Sequence, residues 1–209
     1  MKYEIKEIAS TLGVSSSNLN YSEITTLLTD SRKITDPSKT LFFALESKNN
    51  DAHNYISELY ASGVRNFVVS KQRNEWKDLK GANFFKVRNC LSALQKLAQH
   101  HRSKFNIPII GITGSNGKTV VKEWLYQLLE KDYNIVRSPR SYNSQIGVPL
   151  SVWQLDNDAE LGIFEAGISK PDEMENLEPI IRPTIGVLTK IGDAHQENFD
   201  SLQQKTLEK

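Results

Sequence analysis

Residues 109–130 read IIGITGSNGKTVVKEWLYQLLE, and this stretch restricts the possible folds of the chain more than any other. Ile109, Ile110 and Ile112 form a short apolar run broken by Gly111, the pattern of a buried strand. Thr113-Gly114-Ser115-Asn116-Gly117 follows, then Lys118-Thr119. Val120, Val121, Trp124, Leu125, Leu128 and Leu129 recur at helical spacing, which predicts a helix with one apolar face. A strand that turns through glycines into a helix aims backbone N–H groups and the positive helix end at one point, and so makes a cradle for phosphate. In such a cradle Gly114, Ser115, Asn116 and Gly117 supply the loop. Lys118 reaches the terminal phosphates, and the Thr119 hydroxyl holds Mg²⁺. The strict phosphate-loop pattern wants a glycine where Ile112 stands, and the glycines fall at 111, 114 and 117 instead. An ordinary glycine-rich turn would share these features. The Gly-Lys-Thr that opens a helix directly after a buried strand favours phosphate.

The rest of the chain alternates strand and helix signals, which predicts an α/β fold. Ile5, Ile8, Ala9 and Leu12 share a helical face that Gly13 ends, and residues 41–45 read as a buried strand. Leu91, Leu94, Leu97 and Ala98 mark a helix running to His100-His101-Arg102. The two histidines read as a solvated helix end rather than a metal site, because adjacent helical residues do not share a face. A polar, proline-containing run follows, so the expected division is a small α/β domain over 1–104 and, over 105–209, part of a phosphate-loop-type domain with a parallel sheet. In the second domain, residues 161–164 form a buried strand that delivers Glu165, and 184–189 another that leads to His195. Three strand ends thus bring Lys118 and Thr119, Glu165, and His195 to one edge, where ligands of open parallel sheets bind. Thr119 and Glu165 are hard oxygen donors suited to Mg²⁺. Taken singly, Glu165 could instead cap a helix or pair with a lysine, and His195 could be structural.

Bulk properties exclude some classes. Lys plus Arg number 26 and Asp plus Glu 25, so bulk charge points to no nucleic acid and no anionic membrane. The single cysteine, Cys90, excludes an internal disulfide framework and fits a reducing compartment. No apolar run is long enough to span a membrane, and the N-terminus lacks a signal-peptide core, so the expected location is cytoplasmic. Residues 208–209 fall inside a helical pattern without a stop signal, so the chain is expected to belong to a longer protein.

Several segments together resemble the Mur ligases, which build the peptide of bacterial cell-wall precursors. They are Thr29-Asp30-Ser31-Arg32, Leu41-Phe42-Phe43-Ala44-Leu45 and Asn50-Asp51-Ala52-His53 in the first half. In the second half they are the loop from Gly111 to Thr119, Tyr142 to Pro149, Glu165-Ala166-Gly167, and the TKIGDAH stretch ending at His195. The spacing of the loop glycines is the family's own, which explains the failed strict pattern. The wording is closest to the branch that adds D-alanyl-D-alanine to UDP-N-acetylmuramoyl-tripeptide, in the form fused to an alanine racemase. The resemblance implies that the first domain binds the UDP substrate, with Asp30, Ser31, Arg32, Asp51, His53 and Asn143 as substrate contacts. It implies ATP and Mg²⁺ as cofactors, catalytic roles for Lys118, His195 and Lys209, and metal ligation by Thr119, Glu165, His195 and Lys209. On this pattern Lys209 carries CO₂ as a carbamate, whereas on its own it would be an exposed helix lysine.

The pattern has departures: Ala52 and Asp172 stand where the family has glycine, Lys190 where it has asparagine, and Ser144 breaks an Asn-Asn pair. Other readings are a sister ligase with a different acceptor, a folate-type ligase that the Asp30-Ser31-Arg32 domain argues against, a UDP-sugar module with a vestigial ATP loop, and a generic phosphate-loop kinase.

Overall fold

The computed structural model describes residues 1–15, 19–192 and 196–209. The chain divides into two compact units, Met1–Leu97 and Ala98–Lys209.

The first unit begins with a two-stranded antiparallel pair, β1 (Tyr3–Glu4) and β2 (Glu23–Ile24), around helix α1 (Ile5–Leu12). Ile5, Ile8 and Ala9 are the buried face of α1, and Gly13 closes it at φ +71°, a left-handed C-cap that glycine adopts without strain. The main sheet is parallel. It holds β3 (Thr26–Leu28), β4 (Thr40–Phe43), β7 (Asn66–Val69) and β8 (Asn83–Lys86) in that spatial order. Every residue of β4 and β7 is buried, as expected of parallel strands covered on both faces. A small hairpin of β5 (Glu46–Ser47) and β6 (Asn50–Asp51) precedes helix α2 (Ile56–Ala61).

Helix α3 (Cys90–Arg102) runs through the division between the units. The division therefore falls ahead of the 104/105 boundary expected from sequence, because the last turn of α3 packs into the second unit. The reading of that turn as a solvated end does not hold. His101 is fully buried: its Nε2–H donates to the Leu155 carbonyl at 3.0 Å, and its ring lies 4.7 Å from Trp153 and 4.9 Å from Phe105, centroid to centroid. Arg102 donates to the carbonyls of Ile181 (2.8 Å), Arg182 (3.0 Å) and Phe105 (2.7 Å). The first two are carbonyls at the end of a helix, groups with no partner inside it, so this guanidinium acts as their cap.

The second unit is a parallel sheet in the order β10 (Ile135–Arg137), β11 (Leu161–Glu165), β9 (Ile109–Thr113), β12 (Ile185–Leu188). Helices α4 (Lys118–Leu129), α5 (Gly147–Val152) and α6 (Glu173–Ile181) connect the strands, and α7 (Leu202–Glu208) follows. Two expectations need correction. The 184–189 segment is not a buried strand: β12 lies at the sheet edge, with Ile185 and Leu188 about half exposed. The six apolar residues of α4 do not form one buried face. Val121, Leu125 and Leu129 pack on Ile110, Ile112, Leu161 and Ile163, while Val120, Trp124 and Leu128 are exposed. Only one ridge of residues four apart can face the sheet, and Lys122 completes that buried side.

Candidate active site

Strand register fixes where the polar groups emerge. Glu165 pairs with Ile112 and Leu188 with Thr113, so β9, β11 and β12 end together. The loop after β9 is held from the β12 side. Ser115 N–H donates to the Lys190 carbonyl at 2.7 Å, and Ser115 Oγ bonds with the backbone of Gly192. Thr189 Oγ1 donates to the carbonyls of Thr113 (3.0 Å) and Asn116 (2.7 Å). Gly114 sits at φ +137°, where an added Cβ would overlap Thr189 Oγ1. This position therefore needs glycine for both its backbone and its space. Gly117, at φ +86°, starts α4. Lys190 contributes its backbone carbonyl to the loop, and the residue is exposed, so the contact it makes with Ser115 does not depend on which side chain stands there.

Lys118 is half-buried, and its ammonium folds back to the Gly114 carbonyl at 2.8 Å. Burial lowers its pKa, partly offset by Glu165. Thr119 Oγ1 donates to Glu165 Oε2 at 3.1 Å, and Asn143 Nδ2 approaches the same oxygen at 3.4 Å. Glu165 is fully buried. Its Oε1 lies 3.0 Å from Lys122 Nζ as an ion pair and, among the described residues, accepts no geometrically formed hydrogen bond. A hydroxyl and a carboxylate at the mouth of the loop are the oxygen donors a hard divalent cation takes. The alternative read for Glu165, pairing with a lysine, is present in the contact with Lys122.

Asn143 is held by its backbone. Its carbonyl accepts from Gly167 N–H at 2.7 Å, and a Cβ at Gly167 would lie 2.8 Å from Asn143 Oδ1. The Glu-Ala-Gly spelling thus serves a close approach of two loops. Lys209, after α7, is half-buried, and its pKa is pushed down to about 8, first by burial and then by the charges of Lys118 and Lys205. His195 lies outside the described residues.

In the first unit the expected substrate residues form two local clusters at strand ends. Asp30 caps a short 3₁₀ turn by accepting from Arg32 N–H. It also takes two charge-assisted bonds from the Arg32 guanidinium, both 2.9 Å, which hold its carboxyl at about 2. Ser31 opens that turn. Asp51 caps the 3₁₀ turn Ala52–Tyr55 and accepts from His53 Nδ1–H at 2.6 Å. His53 is buried, and its Nε2 accepts from Ser70 N–H at 3.1 Å, so both ring nitrogens are used inside the protein. His53 shapes the loop rather than reaching outward. Lys71 and Arg73 reach Asp51 Oδ2 at 3.2 and 3.1 Å, and Lys71 also pairs with Glu46. Burial opposes ionisation of Asp51, but bonds from His53 and Lys71 outweigh it and hold the carboxyl at about 2. Lys71, Arg73 and Ser70 carried no sequence signal, since their partners are distant in the chain. Lys122 carried one that was missed: a lysine next to Val121 on the sheet-facing side of a helix.

Residues 112–209 match the profile of the Mur ligase middle domain. The chain belongs to the Mur ligase family. It is 35% identical over 187 residues to the UDP-N-acetylmuramoyl-tripeptide–D-alanyl-D-alanine ligase of Borreliella burgdorferi, across 86% of this chain and 40% of that one. With the ligase of the same name from Rickettsia prowazekii it shares 34% over 205 residues, 98% of this chain and 44% of the relative. Among solved structures, MurF from Acinetobacter baumannii superposes with a TM-score of 0.88 at 22% identity, covering 100% of this chain and 45% of that one. At that identity the likeness is one of fold. MurF ligase from Thermotoga maritima, solved in complex with ADP, has a TM-score of 0.77 at 27% identity, covering 88% of this chain and 41% of that one. The chain spans less than half the length of these relatives. Within the Mur ligase middle domain the profile covers Thr119, Glu165 and Lys209, and the loop from Gly114 onward.

Proposed function

We propose that this chain is the substrate-binding and nucleotide-loop part of an ATP- and Mg²⁺-dependent ligase that adds D-alanyl-D-alanine to UDP-N-acetylmuramoyl-tripeptide in peptidoglycan precursor synthesis. The names of the relatives and the ADP complex of the Thermotoga maritima structure support this reading. One observation carries it at residue level: the first helical hydroxyl after Lys118, on Thr119, meets the buried Glu165 carboxylate at the C-terminal edge of a parallel sheet.

The first unit, Met1–Leu97, would hold the UDP portion. Asp30, Ser31 and Arg32 present one rim, and the Asp51–His53 loop, with Lys71 and Arg73, presents the other. The second unit, Ala98–Lys209, would hold ATP on the loop from Gly114 to Thr119, and Asn143 positions the substrate beside Glu165. Thr119 and Glu165 would hold Mg²⁺, which offsets charge on the phosphoryl oxygens when bound. Glu165, His195 and Lys209 would hold a second ion. The lowered pKa of Lys209 favours that role, because only a neutral amine takes up CO₂, and the carbamate replaces a cation crowded by Lys118 and Lys205 with an anion. The tripeptide's carboxylate oxygen attacks the γ-phosphorus, and the bond to ADP breaks. The amine of D-alanyl-D-alanine then attacks the acyl carbon, phosphate leaves, and the amine gives up its proton. Lys118 leaves the Gly114 carbonyl for the γ-phosphate and offsets the charge that develops there.

We place the protein in the cytoplasm, with no nucleic acid or membrane partner; among the described residues no helix is long and apolar enough to cross a membrane. The 209 residues alone bind the UDP substrate without completing the reaction. Lys118→Ala in the ligase carrying this chain tests the assignment. Turnover should vanish while UDP-substrate binding persists, and turnover near its original level would refute it.

A further inference from the structure

Lys122 is a fully buried cation for which the proposed chemistry has no use. It projects from α4 one turn after the loop, and its ammonium is held by four partners. These are the carbonyls of Ser138 (2.8 Å) and Arg140, Glu123 Oε1 (3.1 Å) and Glu165 Oε1 (3.0 Å). The two carbonyls belong to the segment leaving β10, where Arg140 adopts φ +51° and Ser138 Oγ accepts from Glu165 N–H at 3.1 Å. Lys122 thus fastens α4, the end of β10 and the end of β11 at one point. A charge with this many fixed acceptors is not free to swing aside.

The two oxygens of Glu165 are therefore unequal. Oε1 faces Lys122 in the interior. Oε2 faces Thr119 and Asn143 at the loop. We propose that Lys122 is a specificity-determining positioning residue: by occupying Oε1 it leaves Glu165 a single oxygen for a cation, and so selects Mg²⁺ against Ca²⁺. Mg²⁺ demands compact octahedral geometry and takes carboxylates through one oxygen, whereas Ca²⁺ accepts seven or eight ligands and gains from two-oxygen chelation. The inference rests on the nucleotide-site reading above.

The test measures ADP affinity of the ligase carrying this chain by calorimetry, with Mg²⁺ or with Ca²⁺. Lys122→Met keeps the length and apolar stem and removes the charge. The Mg²⁺-over-Ca²⁺ preference should fall by about tenfold, the usual scale for removing a group that orients a ligand. Glu123→Gln, which removes the charge of a partly exposed partner of the same ammonium and keeps its Oε1 acceptor, should leave the preference unchanged. An unchanged preference in Lys122→Met, or an equal fall in Glu123→Gln, would overturn the inference and leave the nucleotide site standing. A complete lack of metal-dependent ADP binding in the unsubstituted protein would overturn both. If Lys122→Met does not fold, a crystal structure of the unsubstituted protein with Mg²⁺ and ADP decides. A cation on Oε2 alone, with Lys122 still on Oε1, upholds the inference. A cation on both oxygens, or a displaced Lys122, refutes it.

Discussion

Thr119 Oγ1 donates to Glu165 Oε2 across 3.1 Å, joining the first turn of α4 to the last residue of β11. The bond holds two oxygens at the distance a shared cation would require them to keep. Thr119→Val preserves shape and removes the hydroxyl. Affinity for ADP with Mg²⁺ should fall by about 10–100-fold, while Thr119→Ser should keep most of it. Calorimetry on both variants checks this, and a valine variant that binds as tightly as the parent would disprove the role.

Gly114 carries a second, independent test of the loop. Its φ of +137° and the nearness of Thr189 Oγ1 both exclude a side chain. Gly114→Ala should destabilise by about 2–4 kcal/mol, combining backbone strain with overlap in a packed site. Adding Thr189→Ala should cost less than the same substitution does in the parent, since the overlap is relieved and the strain is not. Urea unfolding of the single and double variants measures it, and simple additivity would show that the two residues do not compete for this space.

Much of this site could be read from residue order, because its groups follow strands directly. Gly-Lys-Thr after the Ile109–Ile112 run and Glu165 after 161–164 are local patterns, and the structure puts both where the pattern places them. What could not be read depended on distant partners. His101 and Arg102 look solvated because they are polar, and only the arrival of the Leu155, Ile181 and Arg182 carbonyls makes them core residues. The apolar letters of β12 suggest burial, yet nothing in them tells that the strand lies at an edge. The even spread of apolar residues on α4 concealed which ridge faces the sheet, and with it Lys122.

Burial lowers the His101 pKa to about 4, so the imidazole stays neutral in the folded chain well below its ordinary titration range. The unfolded chain takes up that proton near pH 6.5. Between these values the unfolded state binds more protons, so stability rises with pH. The full contribution is present above about pH 6.5, is lost progressively toward pH 4, and changes no further below it. The second unit should lose about 2–3 kcal/mol between pH 7 and pH 4 from this group. His101→Gln should be less stable at pH 7 and show a shallower slope across that window in urea unfolding followed by circular dichroism. A slope equal to the parent's would assign the pH dependence elsewhere.

Asp172 starts α6 at φ +64°, a left-handed conformation, without a side-chain cap bond. This is a position where the family pattern carries glycine, and the conformation gives the reason. Asp172→Gly should stabilise the chain by about 0.5–1 kcal/mol, and Asp172→Ala should destabilise it by a similar amount. Thermal melts of the three proteins compare them. An alanine variant more stable than the glycine one would contradict the backbone account.

The most direct measurement is phosphate release by the ligase carrying this chain, given ATP, Mg²⁺ and UDP-N-acetylmuramoyl-tripeptide, with and without D-alanyl-D-alanine. Sustained release is expected only when both substrates are present. Release that is indifferent to the dipeptide, or no release while the UDP substrate still binds, would contradict it.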